Sequence, residues 1–271
     1  MFGWIKPEEY SFSHFLLLEE FQIRLLFENS GWESGKDEWC QNMGICLKEN
    51  HVVAWYLKQR APKVADIIDE LTNSTPTVDE KTVREAEVYI LLSVEDWMIH
   101  TTPEKMEASC DYIRGWDEKR LFSLTDFTGK VVLDIGAGSG RLTFAAAKKA
   151  KMVYAVEPVA TLREFLRNKI TEEGITNVRV TDGFVENIPY PDETFDIVMS
   201  GHVIGDDLAQ ELAEKARVCK PGGWMLNVPG DSEFHINSFK DLVDNGWEEI
   251  HYVGSYGKDV HIHRKMKKKL D

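Results

Sequence analysis

The sequence predicts an α/β protein, with a doubly wound sheet of seven strands over residues 116–271, a C-terminal antiparallel hairpin, and a helical region over residues 1–115 in front of it. Three observations predict this class. Short β-branched runs alternate with helical stretches after Gly129, a glycine-rich loop directly follows the first run, and the apolar spacing before residue 115 is helical throughout.

In the first region, Pro7 with Glu8 and Glu9 suits the opening turn of a helix. Phe12, Phe15, Leu16, Leu18, Phe21, Ile23, Leu25 and Leu26 continue one broad apolar face, which Gly31 stops. A second helix is expected over 37–60, carrying Trp39, Met43, Cys46, Leu47, Val53, Trp55 and Leu57. Pro62 and the polar stretch 73–77 punctuate the chain, and a third helix over 79–100 places Val83, Ala86, Tyr89, Ile90, Val94 and Trp97 three or four residues apart. Six of the eight tryptophans (Trp4, Trp32, Trp39, Trp55, Trp97, Trp116) lie at or before position 116, so this region has ample aromatic surface for packing or for lining a pocket.

In the second region the runs 131–135, 152–156, 177–181, 195–200 and 224–228 have strand length and composition. Helical stretches over 141–149, 161–173 and 207–218 separate them, which is the rhythm of a parallel sheet covered on both faces. Residues 247–253 and 259–266 then alternate like two strands around a turn containing Gly254 and Gly257.

Composition bounds the function. The 271 residues are 43% hydrophobic and 29% charged, which fits a globular chain, and the net charge is −14. Acids outnumber bases by 21 to 11 in residues 1–115 but only by 25 to 21 in 116–271. That acidity argues against a nucleic-acid partner, whose phosphates need a basic face. The basic tail at 264–269 reads as a solvated end. Apolar stretches such as 88–92 are far shorter than the roughly 20 residues a membrane span needs, and no secretion signal is recognised, so a cytoplasmic protein is expected. Cys40, Cys46, Cys110 and Cys219 form no C-x-x-C pair and read as free thiols, with no metal site.

The segment 132–141 reads Val-Leu-Asp-Ile-Gly-Ala-Gly-Ser-Gly-Arg. A glycine loop between strand and helix lets a ligand approach the backbone closely at the carboxyl end of a parallel sheet. The dinucleotide fingerprint is G-x-G-x-x-G, and Arg141 stands where it requires glycine. Asp134 adds a carboxylate where two phosphates would have to sit, so a cationic nucleoside without phosphate fits better. Glu157 lies 21 residues after Gly136 at the end of the second run, where a carboxylate can accept from both ribose hydroxyls. Asp182-Gly183-Phe184-Val185 follows the third run, 188–198 leads into the fourth with Ile188-Pro189-Tyr190-Pro191-Asp192, and Lys220-Pro221-Gly222-Gly223 turns into the fifth.

In these motifs, and over about residues 116–271, the chain resembles the class I S-adenosylmethionine-dependent methyltransferases with their Rossmann-like sheet, particularly the small-molecule type that includes quinone-biosynthesis enzymes. The resemblance implies S-adenosylmethionine as cofactor and S-adenosylhomocysteine as product. It implies contacts from Asp134, Gly136, Ala137, Gly138 and Gly140 in the first loop, from Glu157 and Pro158 to the ribose side, and from Asp182, Gly183, Phe184 and Val185 around the adenine. Ser200 ends the fourth strand and His202 lies in the loop just after it, which the resemblance places beside the methionine end, and His202 is the candidate general base. His202 and Trp116 are the candidate acceptor contacts. Asp206 is expected to cap the next helix, with Asp207 in its first turn. His261 and His263 share one face of the last strand but lack a third metal ligand.

The expected activity is methyl transfer to a small molecule, with residues 1–115 as a substrate-binding cap or a module for homodimerisation. The alternative is a cofactor-binding protein without transferase activity whose helical half binds a partner. Base-methylating enzymes carry an Asn/Asp-Pro-Pro-aromatic run, which this sequence lacks. An acidic cap disfavours polyanionic acceptors and leans the expectation toward neutral or cationic ones.

Overall fold

The computed structural model describes residues 3–29, 36–205, 207–231 and 240–268. The chain divides into two compact units, Met1–Ser109 and Cys110–Asp271.

The first unit is helical in its described residues: α1 (Glu20–Asn29), α2 (Lys36–Glu49), α3 (His51–Arg60), α4 (Ala65–Ser74), α5 (Glu80–Ser93), α6 (Glu95–Met98) and α7 (Pro103–Ser109). The expected first helix is instead broken. Pro7–Glu9 and Phe12–Leu17 form separate 3-10 turns because Tyr10, Ser11 and Leu18 are extended. Gly31 and Trp32 lie outside the described residues. The helix expected over 37–60 is two, interrupted at Asn50, whose φ of −111° and ψ of 65° leave the helical region. The helix expected over 79–100 runs as α5 from an Asp79 cap, where Oδ1 accepts the Thr82 N–H at 2.9 Å, and breaks at Val94 before α6. Phe12, Phe15, Ile23, Met43, Leu47, Leu57, Ile68 and Ile90 are fully buried and supply this unit's core.

The second unit is built on a seven-stranded sheet of order β3-β2-β1-β4-β5-β7-β6. The strands are β1 (Val131–Ile135), β2 (Met152–Val156), β3 (Val178–Thr181), β4 (Phe195–Ser200), β5 (Cys219–Asn227), β6 (Glu248–Val253) and β7 (Asp259–Met266). The helices are α8 (Asp111–Arg114), α9 (Lys119–Phe122), α10 (Arg141–Ala147), α11 (Ala160–Glu172), α12 (Leu208–Val218) and α13 (Lys240–Asp244). The first five strands are parallel and β7 runs antiparallel to both neighbours. Alternation within each strand feeds two cores. Val132, Val153, Ile197, Met199 and Leu226 pack with α9 and α10, whereas Leu133, Ile135, Val198 and Met225 pack with α12, α13 and Trp247.

Two strand ends differ from expectation. β5 begins at Cys219, five residues before the expected start, because the Lys220–Gly223 turn is absorbed as a bulge: the register with β4 jumps between Phe195 and Ile197, and Gly222 sits at φ 78°. The basic tail is not a solvated end up to Lys267. Arg264 pairs with Glu248 and donates to the Leu124 carbonyl, Lys265 donates to the Asn245 carbonyl, and Lys267 to that of Cys219. Lys269 lies outside the described residues. Among the described residues, no helix is long and apolar enough to cross a membrane.

Candidate active site

The strand order reverses between β1 and β4, so the loops leaving these two strands diverge and open a crevice at their carboxyl ends. Register then aligns the residues that matter. Ile135 pairs with both Val156 and Ser200, and Val156 pairs with Thr181. The next residue in each chain is Gly136, Glu157, Asp182 or Gly201, so all four stand along one edge of the sheet.

The glycine loop needs its glycines. Gly136, Gly138 and Gly140 have φ of 64°, 56° and 98°, in the left-handed region that side chains disfavour. A Cβ at Gly136 would lie 2.3 Å from Val203 Cγ2, and one at Gly140 would lie 2.3 Å from the Phe144 ring. The Gly136 and Ala137 N–H groups both donate to the Val156 carbonyl, at 2.8 and 3.1 Å, which ties the loop to β2.

Glu157 closes the same loop. Its Oε2 accepts the Gly138 N–H at 2.8 Å and its Oε1 the Val159 N–H at 2.9 Å, across Pro158. Each oxygen keeps one further acceptor position. The carboxyl is 4% exposed, and burial pushes its pKa up to about 7 against the pull of the two N–H groups. Asp134 is also buried and pushed up to about 7, with Oδ2 accepting from Thr143 Oγ1 at 2.6 Å. Asp182 is different: its side chain is 66% exposed and Oδ1 accepts from Arg163 Nη1 at 3.0 Å. Phe184 is 42% exposed beside it, while Val185 is buried in the core with Ile188 and Phe195, and Gly183 abuts Pro189.

On the β4 side, Ser200 is fully buried and accepts from Lys215 Nζ at 2.8 Å. His202 follows in a left-handed conformation, φ 59°, uncommon for a non-glycine residue. Its exposed ring lies 4.7 Å from that of Tyr112, and Nε2 accepts the Gly230 N–H at 3.4 Å. The α12 cap is Asp207, whose side chain accepts from Gln210 N; Asp206, the residue expected to cap, lies outside the described residues. Trp116 packs against the core on the α10 side, with the Arg141 guanidinium 4.8 Å over its ring.

Several participants carry no sequence signal. Lys215 is buried, also donates to the Leu226 carbonyl at 3.1 Å, and is lowered to about 7 by burial. Glu211, one helical turn earlier, accepts the N–H groups of Gly205 and Asp207 at 2.9 and 3.0 Å, so α12 holds both ends of the His202 loop. Arg141 donates Nη2 to the Val228 carbonyl at 2.7 Å. On a helix, such residues read as a solvated face until the packing is known.

The donor set suits a sulfonium nucleoside. Three carboxylates (Asp134, Glu157, Asp182) face the ends of β1–β3, where a pyrophosphate would be repelled but ribose hydroxyls and an adenine amino group would find acceptors. Asp134 Oδ1, Ser139 Oγ and Arg141 Nη1 are buried without a hydrogen-bond partner, which marks the loop as a place that accepts a polar ligand. Metal chemistry finds no comparable cluster. His261 Nδ1 and His263 Nε2 spend these nitrogens on hydrogen bonds to the same oxygen of Glu249, at 3.0 and 3.3 Å, and among the described residues no group of three such side chains is arranged to hold a metal ion.

The same region is similar to known proteins. Residues 132–223 match the profile of a family described as a methyltransferase domain. An uncharacterised methyltransferase of Bacillus subtilis, YcgJ, is 33% identical over 121 residues, which cover 41% of this chain and 48% of that protein. The histone-arginine methyltransferase CARMER of Drosophila persimilis is 33% identical over 139 residues, 48% of this chain and 25% of that protein. The chain thus spans about half the length of the first curated relatives it matches and a quarter of CARMER. Among solved structures, a SAM-dependent methyltransferase from Aquifex aeolicus superposes with a TM-score of 0.50 at 21% identity, covering 60% of this chain and 97% of that one.

Proposed function

We propose, from the premise that residues 132–223 belong to a class I S-adenosylmethionine-dependent methyltransferase domain, that this protein transfers the sulfonium methyl group to a small-molecule acceptor. The cofactor of the domain, S-adenosylmethionine, supplies an electrophilic methyl carbon and leaves as S-adenosylhomocysteine. One observation carries the reading: register lines up Gly136, Glu157, Asp182 and Gly201 at the switch point of the sheet. In this reading Glu157 accepts from the ribose hydroxyls with the lone pairs that Gly138 and Val159 leave open, and Asp182 accepts from the adenine amino group. The glycine loop admits the cofactor close to its backbone, which fixes the methyl group for in-line attack. His202 orients the acceptor, or removes its proton once Nε2 releases the Gly230 N–H. The helical region, residues 1–115, selects the acceptor or mediates homodimerisation.

A second reading, a protein acceptor, is supported by the 139-residue likeness to a histone-arginine methyltransferase. The two separate in a turnover screen that measures S-adenosylhomocysteine release across amines, thiols, phenols, carboxylates and arginine-rich peptides. Turnover confined to small molecules supports the first reading. Turnover confined to peptides supports the second, and silence throughout supports a cofactor-binding protein without transferase activity.

A further inference from the structure

We infer that Arg163 is a positioning residue that sets the nucleobase selectivity of the cofactor site, a role that rests on the reading of Asp182 as the adenine acceptor. Arg163 stands in the first turn of α11 with its side chain only 13% exposed. A single nitrogen, Nη1, donates both to the Glu157 carbonyl oxygen at 2.8 Å and to Asp182 Oδ1 at 3.0 Å. One guanidinium therefore joins the residue after β2 to the residue after β3. These are the two positions that hold the ribose and adenine acids.

The consequence concerns what Asp182 can do. An exposed aspartate unfastened at its carboxylate samples several rotamers and both of its oxygens are solvated. Held at Oδ1 by the guanidinium, the carboxylate keeps one orientation and offers Oδ2 as an acceptor in one direction. That arrangement takes a 6-amino group, which donates, and rejects a 6-oxo group, which would set one acceptor against another and leave both unpaired. Arginine has no acceptor atom, so Arg163 cannot read the base itself. The second bond, to the Glu157 carbonyl, fixes the spacing between the acid that meets the ribose and the acid that meets the base. A partly exposed ion pair of this kind adds little to stability, so its effect belongs in selectivity.

The test uses the full chain and calorimetric titration with S-adenosylhomocysteine and its 6-oxo analogue, S-inosylhomocysteine. The wild type is expected to prefer the adenine ligand by about tenfold or more. Asp182→Ala should bring the two affinities together, Arg163→Gln should lower the ratio toward that of Asp182→Ala, and Arg163→Lys, which keeps the charge, should retain most of it. Loss of overall affinity or thermal stability in Arg163→Gln at an unchanged wild-type ratio would make Arg163 merely structural and overturn the inference. An unchanged ratio in Asp182→Ala would instead remove Asp182 as the adenine acceptor, and with it the ground on which the inference stands.

Discussion

Glu157 gives the sharpest prediction for a single side chain, because burial raises its pKa from the ordinary carboxylate value of 4.5 to about 7 in the folded chain. Between those values the folded protein holds a proton that the unfolded chain has released, so this group's contribution to stability is fully present below about pH 4.5 and is lost as pH rises through about 7. Ligand binding has the opposite sign. Ribose hydroxyls donate to the ionised form, so affinity for S-adenosylhomocysteine should rise as pH increases through about 7, and Glu157→Gln should flatten that rise. A rise that persists in the variant would assign the titration to Asp134, whose carboxyl is also pushed to about 7. His202→Ala should lower turnover by about a hundredfold or more if it acts as the base, the range that general acid–base groups contribute, and leave cofactor affinity nearly unchanged. Full activity would remove His202 from the chemistry. The three acids and the histidine stand out in the sequence by position: Glu157 and Asp182 directly follow strand-like runs, Asp134 lies inside one just before the glycine loop, and His202 comes two residues after one. Arg163, Lys215 and Glu211 do not, since a charged residue in an amphipathic helix looks the same whether it faces water or a loop end.

At the scale of elements, steric space decides two glycine substitutions. Gly136→Ala combines a left-handed φ of 64° with a Cβ 2.3 Å from Val203 on the opposite side of the crevice, so it should depress cofactor binding before it unfolds the domain. Gly44 lies inside α2, where alanine ordinarily stabilises a helix by about 1 kcal/mol. Here a Cβ would sit 2.1 Å from Thr75 Oγ1 and 2.8 Å from the Leu71 carbonyl, at the crossing of α2 with α4. Overpacking should win and destabilise by about 1–3 kcal/mol, read as a lower midpoint in denaturant unfolding; a higher midpoint would mean that the crossing relaxes freely. The strands of the sheet were located well because they are short β-branched apolar runs, buried almost continuously in β1 and β4 and alternating in β2 and at the start of β7. Periodicity merged the 3-10 turns and α1, and α2 with α3, since a break such as Asn50 leaves the apolar spacing intact. It also cut β5 short, because a proline and two glycines look like a turn whether or not a sheet absorbs them as a bulge.

For the whole molecule, the net charge of −14 is a field that any acceptor must cross. Among acceptors that turn over, cationic and neutral ones should outrun polyanionic ones in kcat/KM, and the gap should narrow as added salt shortens the Debye length from about 10 Å at 0.1 M toward 3 Å at 1 M. A gap indifferent to salt would place the discrimination in local contacts. The sequence carried the α/β unit further than the helical one for a physical reason: a nucleoside site is built from a few backbone turns and acids at fixed strand ends, whereas the packing of aromatic side chains from several helices leaves no such pattern in a sequence. We propose that the loop at Gly136–Gly140, together with Glu157 and Asp182, holds S-adenosylmethionine. Calorimetric titration of the full chain with S-adenosylhomocysteine tests it most directly. Saturable binding of one ligand per chain, weakened by about 1.5–3 kcal/mol in Glu157→Ala, is the predicted result; no binding, or binding that Glu157→Ala leaves untouched, would contradict it.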